Sequence, residues 1–301
     1  MLQKICLTLN LIAMIKILVP VTFSDYSLNA LSYAMKLSEK FRSEITLLHC
    51  FSMYVDREPA EGKRELKEPE NDEAEQKELG TRAELQKIVE DLQKEYKLQG
   101  KNALTIKYRF EQGYPEDIIP LISNSEGFDA VIMGTQTRGE LIKEALGSIS
   151  SDVIQRAKAP VLAVPSGSSI DSEKLGKVLF LLELSENDYI SLHRLIRLIS
   201  PFQTEINAVL HCPVRTDKND IRKMDELRKY CDSTYPSLII NFSIITGKNY
   251  MKSIEDYVAE NPVSLVAMTR KKRTLLQKLF KHSITRRLLF SSKVPLLVFH
   301  S

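Results

Sequence analysis

Two short segments of the chain carry residue types suited to holding an anion. The first is Pro20-Val21-Thr22-Phe23-Ser24-Asp25, at the end of an apolar run. The second is Met133-Gly134-Thr135-Gln136-Thr137-Arg138-Gly139, followed further on by Gly147-Ser148-Ile149. Glycines at 134, 139 and 147 permit left-handed backbone and the close approach of a ligand. Ser148 stands where a helix should open, and a helix start offers unpaired N–H groups and about half a positive charge. Together these features make a phosphate cradle. The same spacing equally describes a glycine-bearing connection whose Ser148 only caps its helix, and spacing alone does not choose between them.

The remaining candidates offer less. The five histidines are scattered, and His49 and His211 sit at equivalent strand ends, a pattern expected of side chains that satisfy backbone groups there. Four cysteines without a CxxC pair make neither a zinc knuckle nor a disulfide framework, and Cys50 and Cys212 read as buried, inert thiols. HExxH, GxSxG and a GxGxxG after the first strand are all lacking. With no general base in view, the sequence assigns no enzyme activity. Arg270-Lys271-Lys272-Arg273, with Lys278, Lys281, Arg286 and Arg287, forms one basic patch. It suits a solvated face, or an anionic ligand, RNA or acidic partner, but no aromatic ladder accompanies it for single-strand stacking.

The elements that must position these residues come twice. Lys16-Ile-Leu-Val is echoed by Lys177-Val-Leu-Phe, Leu48-His49-Cys50 by Leu210-His211-Cys212, and Gly113 by Gly247. Lys158-Ala-Pro-Val-Leu returns as Lys293-Val-Pro-Leu-Leu. Such ordered matches are the signature of an internal repeat. They divide the chain into 14–165 and 176–301, joined by a Ser- and Gly-rich linker at 166–175. Each repeat alternates continuous apolar runs, as in IKILVPV, with helical patterns. This predicts an α/β fold of two tandem Rossmann-like domains, each a five-stranded parallel sheet with helices on both faces. In such sheets ligands sit outside the carboxyl ends of the strands where strand order reverses. The two terminal strands, 160–164 and 295–299, are apolar and need cover, so they are expected side by side in an intramolecular pseudo-dimer. The charged stretch 56–80 has no counterpart in the second repeat and reads as a solvated, mobile loop.

Composition sets the frame. Of 301 residues, 43% are hydrophobic and 27% charged, the balance of a globular protein, and a net charge of +3 leaves no overall nucleic-acid footprint. The cysteine usage fits a reducing, cytoplasmic compartment. Residues 1–13 have one Lys followed by an apolar run that continues into the first strand, is interrupted by Asn10 and Lys16, and lacks a small-x-small site. They are expected to be an extension ahead of Met14 or a loose tail, with neither a leader nor a membrane role.

The Pro-x-x-Phe-Ser strand exit, Leu-His at the end of the second strand, Met-Gly-Thr before a loop ending Gly-Ser, and the closing Lys-Ala-Pro-Val-Leu-Ala-Val-Pro resemble the universal stress protein family. The resemblance spans the first repeat and, more faintly, the second. It implies a sheet that binds ATP or AMP, with or without Mg, and two units facing each other through their last strands. A further homodimer is compatible with it, and no motif names a protein partner. Nucleotide-binding members carry Gly-x2-Gly-x9-Gly-Ser/Thr after the fourth strand, and an Asp two residues beyond the Pro of the first. Here Gly134, Gly147 and Ser148 match, the middle glycine is Thr137 with Gly139 two residues on, and the Asp position is Thr22. Pro20, Val21, Cys50, Met133 and Ile149 match positions that line the adenine and ribose pocket. Losing a bond to a charged acceptor costs about 1.5–3 kcal/mol and a strained non-glycine about 1–3 kcal/mol. Both together would turn a micromolar site into a roughly millimolar one. The second repeat reads Thr269, Lys272 and His282 at the glycine positions and Glu183 at the Asp position, so one nucleotide per chain is expected, in the first repeat. The alternative is a scaffold of the same fold that binds none.

Overall fold

A computed structural model of the chain describes residues 14–51, 55–57, 65–67, 71–99, 104–135, 148–171, 173–213, 216–270 and 294–300. In the first half, β1 (Ile15–Pro20), α1 (Asp25–Ser38), β2 (Ser43–Phe51), the short β3 (Val55–Arg57) and β4 (Glu65–Lys67), α2 (Asn71–Leu98) and β5 (Leu104–Gln112) lead into α3 (Pro115–Ser125). Then come β6 (Ala130–Thr135), α4 (Ser148–Arg156) and β7 (Val161–Pro165). The second half runs β8 (Lys174–Leu182), α5 (Glu186–Ile199), β9 (Gln203–Cys212), α6 (Lys218–Thr234), β10 (Ile239–Thr246), α7 (Tyr250–Glu260), β11 (Val263–Arg270) and β12 (Leu296–His300).

Ten of these strands form one sheet in the order β10-β9-β8-β11-β12-β7-β6-β1-β2-β5, and β3 and β4 pair separately. Within each half the strands are parallel, and in each the first strand lies between the second and the fourth. The order therefore reverses beside β1 in one half and beside β8 in the other. The halves meet where β12 runs antiparallel to β7, Val298 opposite Val161, Leu297 opposite Leu162 and Leu296 opposite Ala163. The terminal strands are thus neighbours, and each covers the edge of the other.

Alternation along the strands feeds two cores, one on each face. Ile17, Val19, Val178 and Phe180 point into the layer beneath α1, α2, α5 and α6. Leu18, Leu179 and Leu181 point into the layer beneath α3, α4 and α7. Both layers run through both halves, with Leu162 opposite Leu297 in one and Val161 opposite Val298 in the other. Each fully buried side chain of this size contributes about 1.5–3 kcal/mol. That burial holds the strand ends in place.

The stretch 56–80 differs from expectation. Val55–Arg57 pairs antiparallel with Glu65–Lys67, and the helix begins at Asn71. Glu, Gln, Lys and Leu are strong helix formers. One turn is also tied by Arg82 to Glu78 at 3.2 Å. Helix α2 needs only a narrow stripe of burial, which Leu85, Val89 and Tyr96 supply.

Candidate functional site

The switch point of the first half lies between β1 and β6, which are in register at Ile17–Ala130 and Leu18–Val131. Beyond this pairing β1 ends and turns sharply into α1. Val21 is buried and donates its N–H to the Leu48 carbonyl at 2.8 Å. His49 Nδ1 donates to the Val21 carbonyl at 2.8 Å. Burial holds the His49 pKa below its usual value, so the ring is a neutral clip on the strand exit. It lies between the rings of Phe23 and Phe110, with centroids 5.0 and 5.2 Å away. His49 thus has the backbone-satisfying role expected of it.

Thr22 is exposed, its hydroxyl 2.8 Å from that of Ser24. Phe23 follows with φ of 60°, a left-handed backbone rare for a bulky residue. Ser24 caps α1, accepting the Ser27 N–H, and Asp25 complements the helix start. Ser27 is buried. Its hydroxyl donates to the Ser24 carbonyl at 2.9 Å and accepts the Thr22 N–H at 3.2 Å.

The other candidates divide between the two faces of the sheet. Met133 is buried and Cys50 half-buried in the layer beneath α3 and α4. Burial pushes the Cys50 thiol up to about 12, helped by Glu111 and Glu116, so it is inert at neutral pH. Val21 packs into the opposite layer. Pro20 is half-buried at the end of β1, Ser148 is the first residue of α4, and Ile149 beside it is exposed. Thr137, Gly139 and Gly147 lie outside the described residues. Gly134 has a packing reason of its own. A Cβ there would stand 2.1 Å from the Tyr26 carbonyl oxygen, so the first turn of α1 can sit on β6 only because residue 134 has no side chain. Next to it, the Thr135 hydroxyl is buried with no hydrogen-bond partner among the described residues, a polar atom at the mouth of the 136–147 connection that the sequence did not single out.

The equivalent place in the second half is built differently. Leu184 repeats the left-handed turn, with φ of 53°. Where Ser27 stands in the first half, the second has Asp188, fully buried. Its Oδ2 accepts the N–H groups of Glu183 at 3.0 Å and Ser185 at 3.3 Å. Burial raises its pKa, and these N–H donors oppose the rise. Thr269 replaces Gly134 and its hydroxyl is buried beside β8. The ring of Tyr250, first residue of α7, packs edge-on against His211 at 5.0 Å. Its hydroxyl is pushed up by burial and by the charge of Glu183. The amides of this turn thus already hold an internal carboxylate, and Glu183, His211 and Tyr250 gather at the strand ends. Asp188 was legible in one respect: Ser185-x-x-Asp188 has the spacing of a capping box.

The basic patch lies outside the described residues except for Arg270, at the end of β11. Among the described residues no His, Cys, Asp and Glu cluster able to hold a metal ion occurs, and no helix is long and apolar enough to cross a membrane.

Comparison with known proteins bears on both halves. A universal stress protein of Methanocaldococcus jannaschii is 28% identical over 170 residues, covering 51% of this chain and 96% of its own length. A universal stress protein structure from Archaeoglobus fulgidus superposes with a TM-score of 0.66 at 18% identity, covering 95% of this chain and 96% of its own. A second structure, from Pseudomonas aeruginosa, reaches 0.60 at 15% identity, with 96% and 94% covered. At these identities the structures establish the fold, and they establish it across both halves. The family description "Universal stress protein family" matches residues 14–165, half of the chain. This protein therefore belongs to the universal stress protein family.

Proposed function

We propose that the protein is a nucleotide-responsive regulatory member of its family, acting in the cytoplasm. It binds one adenine nucleotide, ATP or AMP, per chain, at the carboxyl ends of β1 and β6. The domains proposed for this role are 14–165, which binds, and 176–301, which does not. The observation that carries the reading is the contrast between the two strand exits. In the first, a neutral Ser27 fills the turn, and the carboxylate set against the positive field at the start of α1 is the exposed Asp25, outside the turn. In the second, the Asp188 carboxylate occupies the turn and Glu183 adds a further negative charge. An anionic phosphate is repelled more strongly by the second arrangement, with its buried Asp188 and Glu183, than by the first.

In this reading Pro20, Val21, Cys50, Met133 and Ile149 border the adenine and ribose. Gly134, Thr137, Gly139, Gly147 and Ser148 form or support the phosphate connection, with α4 directing its N-terminus at the phosphates. Thr22 offers a hydroxyl in place of the carboxylate usual in the family's nucleotide-binding members. When ATP binds, Mg supplies charge neutralisation of its phosphates.

Calorimetric titration of the full chain with ATP and with AMP tests this. One site per chain, abolished by Gly147→Arg and indifferent to His282→Ala, is the expected result. Two sites, or binding untouched by Gly147→Arg, refutes it. Binding absent in the parent but present in Thr22→Asp/Thr137→Gly would identify the protein as a scaffold that has lost its ligand.

A further inference from the structure

Away from the strand-exit turns, the two halves border a cavity of about 290 Å³ that is open to solvent on one side. The end of α3, the segments entering β6 and β7, and the last turns of α5 wall it, so it exists only when both halves are together. Three cationic side chains border it, Lys158, Arg194 and Arg197, against one carboxylate, Asp129. Asp129 is already engaged at both oxygens. Oδ2 accepts the Lys16 N–H at 2.9 Å, and Oδ1 pairs with Arg197 Nη1 at 3.1 Å. Arg197 still has a buried Nε–H with no hydrogen-bond partner among the described residues. Arg194 and Lys158 are exposed, and neither has an ion-pair partner among the described residues. Phe128 and Leu198, both nearly buried, give the cavity an apolar wall.

The geometry points to a binding site for a compact phosphate-bearing anion in this cavity, between the halves. The excess of two positive charges matches a phosphate dianion. An arginine anchored at Nη1 presents its remaining donors in a fixed fork, the arrangement that takes two oxygens of one phosphate. The volume lies at the low end of small-ligand pockets, about 300–1,000 Å³. It suits phosphate alone or a phosphate on a short carbon chain, the chain resting on Phe128 and Leu198, and is small for a whole nucleotide. This inference does not depend on the nucleotide reading.

Inorganic phosphate and glycerol phosphate, titrated calorimetrically into the full chain at constant ionic strength, are the probes. Lys158→Glu/Arg194→Glu changes two exposed side chains and should weaken binding about tenfold or more. Lys229→Glu, an exposed charge reversal on α6, should leave it unchanged. Arg197→Lys keeps the charge near Asp129 but loses the fork, and should weaken binding less than the double reversal. Tighter binding of glycerol phosphate than of phosphate would assign the apolar wall a role, and the reverse would assign the site to free phosphate. The proposal is overturned if the parent binds neither anion. It is also overturned if a double variant with native-like melting binds as the parent does; phosphate held at the start of α4 would behave in that way. Should the double reversal not fold, Lys158→Ala/Arg194→Ala serves in its place.

Discussion

Ser27 and Asp188 occupy the same place in the two halves, and the turns around them have the same backbone, with Phe23 and Leu184 both left-handed. The difference is a neutral hydroxyl in one and a carboxyl group in the other. A serine hydroxyl both gives and takes a hydrogen bond, so Ser27 closes its own turn and stays neutral. A carboxylate can only accept, so Asp188 draws in two backbone N–H groups and neutralises a helix start from within. The fold tolerates either solution. Only the first leaves its turn without an internal carboxylate, so the duplicated backbone carries two different electrostatic environments.

The comparison can be broken most sharply at Gly134. Gly134→Thr copies the second half's residue into the first, and its Cβ would meet the Tyr26 backbone at 2.1 Å. Urea unfolding should show a loss of about 3 kcal/mol, together with loss of nucleotide binding. A loss under about 0.5 kcal/mol would mean that α1 is free to shift. Next comes the turn itself. Asp188→Ala strands the amides of Glu183 and Ser185 and should cost about 2–4 kcal/mol, whereas Ser27→Ala strands one and should cost about 1–2 kcal/mol. Equal costs would remove the distinction drawn between the turns.

The ligand arm is smaller. Thr22→Asp and Thr137→Gly should each tighten ATP binding about tenfold, read by calorimetry. Glu183→Thr should create no second site, because Asp188 and Tyr250 remain. The smallest effect is in pH. Asp188 has its folded pKa raised by burial, so between the ordinary carboxylate value and that raised value the folded state binds more protons than the unfolded. Stability contributed by this group therefore increases as pH falls through the raised pKa and is lost as pH rises through it. Asp188→Asn should flatten that portion of the stability–pH curve, while Ser27→Ala leaves it unchanged.

Much of this was legible because it rests on periodicity. The alternation of apolar runs with helical patterns anticipated helices between the strands, as α5 and α7 are, since long amphipathic stripes between apolar runs leave little choice. The strand-end equivalence of His49 and His211 was visible, but not their divergence. His49 clips the Val21 carbonyl between two phenylalanine rings, whereas His211 lies by the Gly247 backbone with its ring crossed against that of Tyr250, and that depends on which residue opens the next helix. Gly134 could be read as a ligand glycine, yet its contact with Tyr26 arises from how closely α1 approaches β6, a tertiary distance with no sequence signal. Low hydrophobicity made 56–80 read as a loop, yet from Asn71 onward it is helix, because helix formers need only Leu85, Val89 and Tyr96 to dock.

The antiparallel seam also bears on how the chain is made. Val161 finds Val298 only after roughly 130 further residues have been added to the chain, which at about 5–20 residues per second takes on the order of ten seconds. During that interval the first half has its parallel pairings complete, yet it presents Val-Leu-Ala-Val along an uncovered edge. Such an edge is a template for any extended chain nearby, including the same strand of another nascent copy. Synthesis order thus opens a window for pairing between chains that closes only when the last strand arrives, and slowing translation in the second half should raise the yield of mispaired dimers.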